Sequence, residues 1–328
     1  MTSTMRAILI ERAGGADVLR IRENWPKPIP ENGRVLIRVM AFGLNRGEVF
    51  TRLGYSPGVE FPRVLGIECV GIVESAPGTS FEKGQSVVAT TGGMGRSYDG
   101  SYAEFVSVPA PHVHEVETNL EWVQLASVPE AFHTAWGALF SSLVIKSGQR
   151  LLIRGGSSSV GLVAANIAKK FGVSVLSTTR DESKSDLLGR FGAEHVVIDN
   201  GKIASTVKKI APHGVDALLD LVGTSVIEDS FSCVRRGGVL CIAGLLGGEW
   251  EIANFAPGSA IPSTTKLTYF SSSSTPLSKE GLKVYLTGLE DKKYRIPLDR
   301  VFEFEEISEA HRYMESNRAA GKIVIKVV

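Results

Sequence analysis

The stretch RLLIRGGSSSVGLVAANIAKKF, residues 150–171, decides the fold. It begins with a short apolar run, continues through a glycine-serine loop at 154–161, and ends with apolar residues spaced three and four positions apart. A strand, a loop of small residues and a helix in this order bring helix N–H groups close to an anion, as dinucleotide sites require. The stretch therefore predicts the first strand and first helix of a Rossmann sheet that binds a dinucleotide.

Each position of this loop has a predicted role. Gly156 is expected to make the tight turn, Ser158 takes the close-approach position that is usually glycine, and Gly161 permits close contact between helix and strand. The residues predicted to bind the cofactor here are Gly156, Ser157, Ser158, Ser159 and Val160. Because glycine and serine also fill ordinary turns, the alternative is a purely structural loop, and the sequence downstream decides between them.

Strand and helix patterns alternate regularly after this loop. The predicted strands lie at 173–179, 195–199, 215–223, 237–244 and 266–274, and the predicted helices at 160–171, 182–191, 203–210 and 227–234. This alternation predicts an α/β fold with a doubly wound parallel sheet covered on both faces. It favours the dinucleotide interpretation of the loop over the structural one.

The rest of the chain has a different pattern of apolar residues. Short β-branched runs at 34–41, 68–76 and 85–90 predict a β-rich domain in the first third. A helix at 308–318 and a closing strand at 321–328 are expected to fold back onto that domain, because the Rossmann sheet already has six strands. We predict one domain from 1–121 and 292–328 and a second from 122–291.

The end of the second Rossmann strand predicts which cofactor is bound. An NAD site usually has an acidic residue there for the ribose 2′-hydroxyl. This chain instead offers Thr179 and Arg180, with Lys184 one helical turn further on, which suits the 2′-phosphate of NADPH. Asp181 is the competing observation, and the alternative is that both cations are simply solvated.

Composition narrows the range of partners. With 36 Lys plus Arg against 35 Asp plus Glu, the net charge is +1, which gives no support for binding nucleic acid. The sequence shows no signal-peptide pattern and no apolar run long enough to span a membrane, so a cytoplasmic protein without a membrane partner is expected. Cys69, Cys233 and Cys241 are interpreted as small core residues.

Several segments together resemble the zinc-independent medium-chain dehydrogenases/reductases of the quinone oxidoreductase (zeta-crystallin-like) family. They are GLNRGEVFTRLG (43–54), PRVLGIECVGIVESAP (62–77), GSYAEF (100–105), ASVPEAFHTAWGAL (126–139), RGGSSSVG (154–161) and AHRYMESNRAAGKIVI (310–325). The resemblance covers essentially the whole chain. It implies a GroES-like β-rich domain, a homodimer, and hydride transfer from NADPH to a small quinone or α,β-unsaturated carbonyl.

The resemblance also assigns further residues. Asn45 matches an asparagine beside the nicotinamide, Thr134 a threonine in the segment that bridges the domains, and Lys184 a lysine that contacts the 2′-phosphate. Strand ends expected to line the nicotinamide pocket are Val222, Gly223, Ala243, Gly244 and Leu245. Arg318 is expected to reach the cofactor, with a solvated charge as the alternative.

Catalytic candidates are few. Where some quinone reductases have a tyrosine, this chain has Phe50, so Tyr55 becomes the candidate hydrogen-bond donor to the substrate carbonyl, the alternative being a packing or wall residue. Asn45 is the second candidate. His133 is interpreted as structural rather than as a proton donor.

No metal is expected. Zinc alcohol dehydrogenases of this superfamily have a cysteine and a histidine as ligands where this chain has Asn45 and Ile67, and the four-cysteine lobe is replaced by TTGGMGRSYDGSY. Two rivals to the quinone reductase remain open. One is a reductase confined to enones or enoyl thioesters, and the other is a weakly catalytic NADPH-binding protein with a structural or regulatory role.

Overall fold

The computed structural model describes residues 3–328. They form two compact units. The first contains the described residues up to Glu130 together with Leu282–Asp291 and Ile296–Val328, and the second contains Ala131–Gly281 and Lys292–Arg295. The domain limits given above, 121/122 and 291/292, stay a prediction beside this division.

The strands are as follows: β1 (Thr4–Ile10), β2 (Arg20–Pro26), β3 (Arg34–Leu44), β4 (Arg63–Val64), β5 (Glu68–Ser75), β6 (Ser86–Thr90), β7 (Phe105–Pro109), β8 (Val113–Glu115), β9 (Arg150–Arg154), β10 (Ser174–Thr179), β11 (His195–Ile198), β12 (Val215–Asp220), β13 (Val234–Ile242), β14 (Lys266–Tyr269), β15 (Leu298–Glu303) and β16 (Lys322–Lys326). The helices are α1 (Arg46–Arg52), α2 (Trp122–Leu125), α3 (Pro129–Gly137), α4 (Ser159–Lys170), α5 (Ser185–Phe191), α6 (Ala204–Ile210), α7 (Ile227–Cys233), α8 (Pro257–Ala260), α9 (Lys279–Glu290) and α10 (Ile307–Glu315).

The second unit contains a six-stranded sheet in the order β11-β10-β9-β12-β13-β14. All of its strand pairs are parallel. Leu176, Leu152, Leu218 and Leu240 stand in register across four neighbouring strands and are fully buried. Burying each such leucine contributes roughly 1.5–3 kcal/mol. The predicted doubly wound Rossmann sheet is confirmed.

The first unit is built on mainly antiparallel sheets, with β15 paired in parallel to β16. One has the order β15-β16-β3-β5-β6-β8 with β7 also paired to β3, and a smaller one has the order β2-β1-β4. The closing strand β16 pairs with β3, with Ile325 opposite Phe42, so the chain end folds back as predicted. The predicted β-rich domain is confirmed.

Two predicted elements end earlier than expected. Helix α10 ends at Glu315, and Asn317 has a left-handed backbone with φ of 57°, so Arg318 lies beyond the helix and not on it. Strand β14 ends at Tyr269, and a 3-10 turn follows at Ser272–Ser274. Among residues 3–328, no helix has the length and apolarity that a membrane span needs.

Candidate functional site

Ser158 caps the helix that follows the glycine-serine loop. Its Oγ accepts a hydrogen bond from the Gly161 N–H at 3.1 Å and donates one to the Gly155 carbonyl at 2.7 Å. The cap satisfies one of the N–H groups that a helix start leaves without an intrahelical partner. Ser159 and Val160 occupy the first turn of α4, where N–H groups and the helix dipole favour an anion, and Ser157 precedes the cap.

One glycine of the loop has a different role from the predicted one. Gly155 has a left-handed backbone with φ of 88°, so Gly155 and not Gly156 makes the turn. A Cβ on Gly156 would lie 1.8 Å from Ser177 Oγ, and one on Gly161 would lie 2.7 Å from the Gly155 carbonyl oxygen. Gly156 is therefore required by close packing against β10. Gly161 allows the start of the helix to lie close to the backbone of Gly155 and Gly156.

The predicted pocket residues after β12 and β13 lie beside this loop. A Cβ on Gly155 would meet Leu221, Leu246 and Val222. Gly223 has φ of 99°, and a Cβ there would lie 2.8 Å from Leu245 Cδ2. The structure therefore brings the glycine-serine loop and these strand ends together at the carboxyl edge of the sheet, where ligands of such folds bind.

Ala243 and Gly244 complete this edge. The Ala243 N–H donates to the Asp220 carbonyl at 2.9 Å, and a Cβ on Gly244 would lie 2.7 Å from the Leu221 carbonyl oxygen. The segment after β13 is therefore held tightly against the segment after β12.

A buried arginine at the end of β9 contacts the residue after β11 and two residues of α7, and sequence reasoning missed it. Arg154, the last residue of β9, is fully buried. Its Nε and Nη2 donate to the two carboxylate oxygens of Asp199 at 2.9 and 3.0 Å, and its Nη1 donates to Asp229 at 2.9 Å and to Ser230 Oγ at 2.9 Å. The signal in the sequence was an aspartate at the end of two strand patterns, Asp199 just after β11 and Asp220 as the last residue of β12, with an arginine beside the loop.

At the end of β10, the hydroxyl of Thr179 is already engaged. It accepts from the Asp181 N–H and donates to the Asp181 carbonyl, both at 3.1 Å. The Asp181 carboxylate accepts from the N–H and the hydroxyl of Ser183, and these hydrogen bonds lower its pKa. Arg180 is exposed and Lys184 half-buried on the segment that follows. Their contact with a 2′-phosphate stays a prediction.

Helix α3 carries His133 and Thr134, both buried. His133 Nε2 donates to the Thr275 carbonyl at 2.9 Å, which supports its structural interpretation. The contact of Thr134 with the cofactor stays a prediction.

In the first unit, Asn45 belongs to a buried polar cluster. It is the N-cap of α1, and its backbone N–H donates to Glu48 at 2.8 Å. Its Nδ2 donates to Glu68 Oε1 at 2.8 Å and to Glu48 Oε1 at 3.3 Å, while its Oδ1 accepts from Lys322 Nζ at 2.6 Å. Both amide hydrogens thus face carboxylates, so this side chain offers a further ligand an acceptor and not a donor.

Three charged side chains of this cluster are withdrawn from solvent. Lys322 forms an ion pair with Glu68, and both side chains have no exposed surface. Burial raises the pKa of Glu48 to about 7, against the opposing effect of the Lys322 ammonium. Glu68 Oε2 also accepts from the Glu130 N–H at 2.8 Å. The N-cap residue Asn45 is therefore held by Glu48 and Glu68 from the early part of the chain and by Lys322 from the last strand.

The remaining two predicted residues lie on the surface of the same unit. Tyr55 follows α1 and is 60% exposed. Arg318 is also exposed; its Nε donates to Ser316 Oγ at 3.0 Å, and its guanidinium lies 5.3 Å from the centre of the Tyr313 ring. Their roles in catalysis and cofactor binding stay predictions.

Comparison with known proteins gives consistent matches. Residues 31–118 match the alcohol dehydrogenase GroES-like domain, and residues 191–325 match the zinc-binding dehydrogenase family. Quinone oxidoreductase from Mus musculus is 30% identical over 252 residues, covering 74% of each chain, and that from Homo sapiens is 27% identical over 332 residues, covering 98% of this chain and 97% of the human one. A mycobacterial protein solved in complex with NADPH superimposes with a TM-score of 0.88 at 26% identity, covering 99% of this chain and 100% of its own.

A GroES-like unit and a Rossmann unit with a capped glycine-serine loop define a medium-chain dehydrogenase/reductase. Within that class, the chain belongs to the quinone oxidoreductase family. It is accordingly an oxidoreductase.

Proposed function

We propose that this protein transfers a hydride from NADPH to a quinone or an α,β-unsaturated carbonyl compound without zinc. The observation that carries the proposal is the Ser158-capped start of α4, where Gly161 lets the helix backbone lie close to Gly155 and Gly156 lets the loop pack against Ser177. Such a start holds the pyrophosphate of a dinucleotide. The bound nicotinamide supplies the hydride, and the protein's residues bind and orient it.

The choice of NADPH over NADH rests on charge. Arg180 and Lys184 follow β10, and cations there favour a 2′-phosphate. The Asp181 carboxylate accepts hydrogen bonds from Ser183. An acidic residue at this position is therefore compatible with a site that binds a 2′-phosphate. The mycobacterial structure in complex with NADPH supports the same choice.

The zinc-independent part of the proposal rests on the Asn45 cluster. The description of one matching family names zinc. This chain, however, has Asn45 and Ile67 at the positions where zinc alcohol dehydrogenases have their cysteine and histidine ligands. The Lys322 ammonium contacts both Asn45 and Glu68, so the polar groups near these positions already hold a cation. A divalent cation would be repelled by this ammonium, and the residues do not fit a tetrahedral zinc site.

A conjugated acceptor suits these residues. Its own conjugation spreads the negative charge that hydride addition creates, so fewer protein donors are required. Both amide hydrogens of Asn45 face carboxylates, which supports a positioning role for Asn45 in place of proton transfer. Tyr55 has an exposed phenol, and we propose its hydroxyl as the hydrogen-bond donor to the substrate carbonyl.

An acceptor panel tests the reaction. We expect steady NADPH oxidation with quinones and enones, with less than stoichiometric zinc by metal analysis and no loss of activity after chelation. Turnover of enones or enoyl thioesters alone would replace the quinone assignment with the narrower reductase. Tight NADPH binding without turnover of any acceptor would leave a structural or regulatory NADPH-binding protein.

A pair of variants tests the cofactor choice. Arg180→Ala and Lys184→Ala should each lower kcat/KM for NADPH by about tenfold and leave NADH unaffected, because each cation pairs with the 2′-phosphate alone. Lys170→Ala, an exposed lysine at the end of α4, is the matched control. An equal or better kcat/KM of the wild-type enzyme with NADH would overturn the preference.

We further propose a cytoplasmic homodimer with no membrane or nucleic-acid partner. Strand β14 lies at one edge of the Rossmann sheet, and its Tyr269 is 65% exposed, so this edge is the proposed pairing surface. Light scattering should give a mass of two chains. A monomer at micromolar concentration would contradict this part of the proposal.

A further inference from the structure

We propose that Arg154 is a positioning residue that holds the two walls of the dinucleotide site in register, the glycine-serine loop on one side and the pocket after β12 on the other. The inference rests on the proposed dinucleotide function. It concerns a fully buried residue that acts through its neighbours, and its evidence is a continuous chain of hydrogen bonds in both directions.

The first direction runs to the loop. Arg154 holds the Asp199 carboxylate through two hydrogen bonds, and Asp199 Oδ2 accepts from Thr178 Oγ1 at 3.4 Å. Thr178 Oγ1 in turn accepts from the Gly155 N–H at 3.0 Å. Gly155 is the left-handed residue that turns the loop, so this chain of contacts fixes where the loop begins.

The second direction runs to the predicted nicotinamide pocket. Ser230 Oγ accepts from Arg154 and donates to Asp220 Oδ2 at 2.6 Å. Asp220 Oδ1 accepts from the N–H groups of Val222 and Gly223, both at 2.9 Å. Two of the residues expected to line the pocket are therefore held by one carboxylate, which is itself held through Ser230.

Charge explains why an arginine is needed here. Asp199, Asp220 and Asp229 place three carboxyl groups beneath the edge that is proposed to bind a pyrophosphate, and Arg154 is their shared cation. The planar guanidinium donates in several directions at fixed angles, whereas a lysine ammonium is a single point charge on a flexible chain. Lysine at this position keeps the charge and loses the geometry.

The two directions can be separated by experiment. Ser230→Ala breaks the route to Val222 and Gly223 and leaves the Arg154–Asp199 pair intact, while Arg154→Lys disturbs both routes. The ligands are NADPH and 2′-phospho-ADP-ribose, which has the pyrophosphate and the 2′-phosphate but no nicotinamide. Dissociation constants are measured by fluorescence or calorimetry, and a thermal melt of each variant checks that it is folded.

We expect Ser230→Ala to weaken NADPH binding about fivefold, the effect of losing one buried hydrogen bond, and to change binding of 2′-phospho-ADP-ribose by less than about twofold. Arg154→Lys should weaken both ligands. The controls are Ser232→Ala, an exposed serine on the same helix, and Arg236→Lys, an exposed arginine on β13; neither should change either ligand.

Two results would overturn the inference. They are unchanged NADPH binding in Ser230→Ala, and an equal loss of both ligands in that variant, which would indicate general loosening of the fold. If Arg154→Lys fails to fold, Ser230→Ala still decides. A wild-type protein that binds neither NADPH nor NADH would overturn the proposed function itself, so the two failures are distinguishable.

Discussion

Lys322 Nζ donates a hydrogen bond to Asn45 Oδ1 over 2.6 Å, although the two residues are 277 positions apart. The pairing of Ile323 with Leu44 between β16 and β3 brings them side by side. Lys322 is 1% exposed, so its ammonium is withdrawn from water and depends on Asn45 and Glu68 for its polar contacts. The closing strand therefore supplies the cation that holds the cap of α1.

Replacing this lysine should destabilise the first unit severely. Lys322→Met leaves the carboxylates of Glu68 and Glu48 buried without their ammonium, and loss of one partner of a buried ion pair costs about 3–5 kcal/mol. Urea denaturation measures the change in free energy of unfolding. Lys326→Met, at the exposed end of the same strand, is the control and should change it by less than about 0.5 kcal/mol. Similar losses in both variants would contradict the importance of the ion pair.

Glu48 should make stability depend on pH. Its pKa is about 7 in the folded protein against 4.5 for the unperturbed group, so between these values the folded state keeps a proton that the unfolded state has lost. Stability from this group is therefore full below about pH 4.5 and is lost as the pH rises toward 7. Relative to Glu48→Gln, the wild-type protein should lose about 3 kcal/mol of unfolding free energy across this range.

Comparing chemical denaturation of the two proteins at pH 5 and pH 7 checks this prediction. Glu60→Gln, at an exposed position, is the control and should follow the wild type at both pH values. A constant difference between wild type and Glu48→Gln at the two pH values would show that Glu48 titrates normally.

The fold and the position of the glycine-serine loop could be predicted because their signals are local. The loop at 154–161 and the strand-helix alternation after it are patterns among residues close in sequence. The closing strand β16 is likewise predicted from its own residues alone. The Arg154 contacts could not be predicted, since they join residues 45, 75 and 76 positions apart. The Lys322–Asn45 contact is longer still, and it depends on a strand register that local sequence does not encode.

The assignment of the turn to Gly156 instead of Gly155 has the same cause. A local pattern shows that two glycines make the turn, but only the position of β10 shows which of them has no room for a side chain. Ser158 likewise occupies the position expected for close approach, and its hydroxyl caps the helix instead.

Gly156→Ala should weaken NADPH binding at least about tenfold, because its Cβ would lie 1.8 Å from Ser177 Oγ and the loop must shift. Among the described residues Ser177 Oγ has no hydrogen-bond partner, so Ser177→Ala alone should cost little. Adding Ser177→Ala to Gly156→Ala should restore part of the affinity, since the Cβ of residue 177 lies 3.1 Å from the added Cβ at position 156. The measurement is NADPH titration by fluorescence.

Gly189→Ala is the matched control for the loop variant. It lies inside α5 with nothing within 4 Å of the added Cβ, so it should leave binding unchanged and stabilise the helix by up to about 1 kcal/mol. Absence of any rescue by Ser177→Ala would show that the contact with Ser177 is not what limits position 156.

Ser159→Asp should separate stability from cofactor binding at the start of α4. A negative charge in the first turn of a helix stabilises it by about 0.3–1 kcal/mol through the helix dipole. The same charge would face the proposed pyrophosphate, and because repulsion between like charges near a protein surface reaches a few kcal/mol, NADPH affinity should fall about 10- to 100-fold. Thermal melts and NADPH titration measure the two effects.

Ser205→Asp, in the first turn of α6, is the control: it has the same helix-dipole effect away from the loop and should leave NADPH binding intact. Undiminished NADPH affinity in Ser159→Asp would place the pyrophosphate elsewhere in the protein.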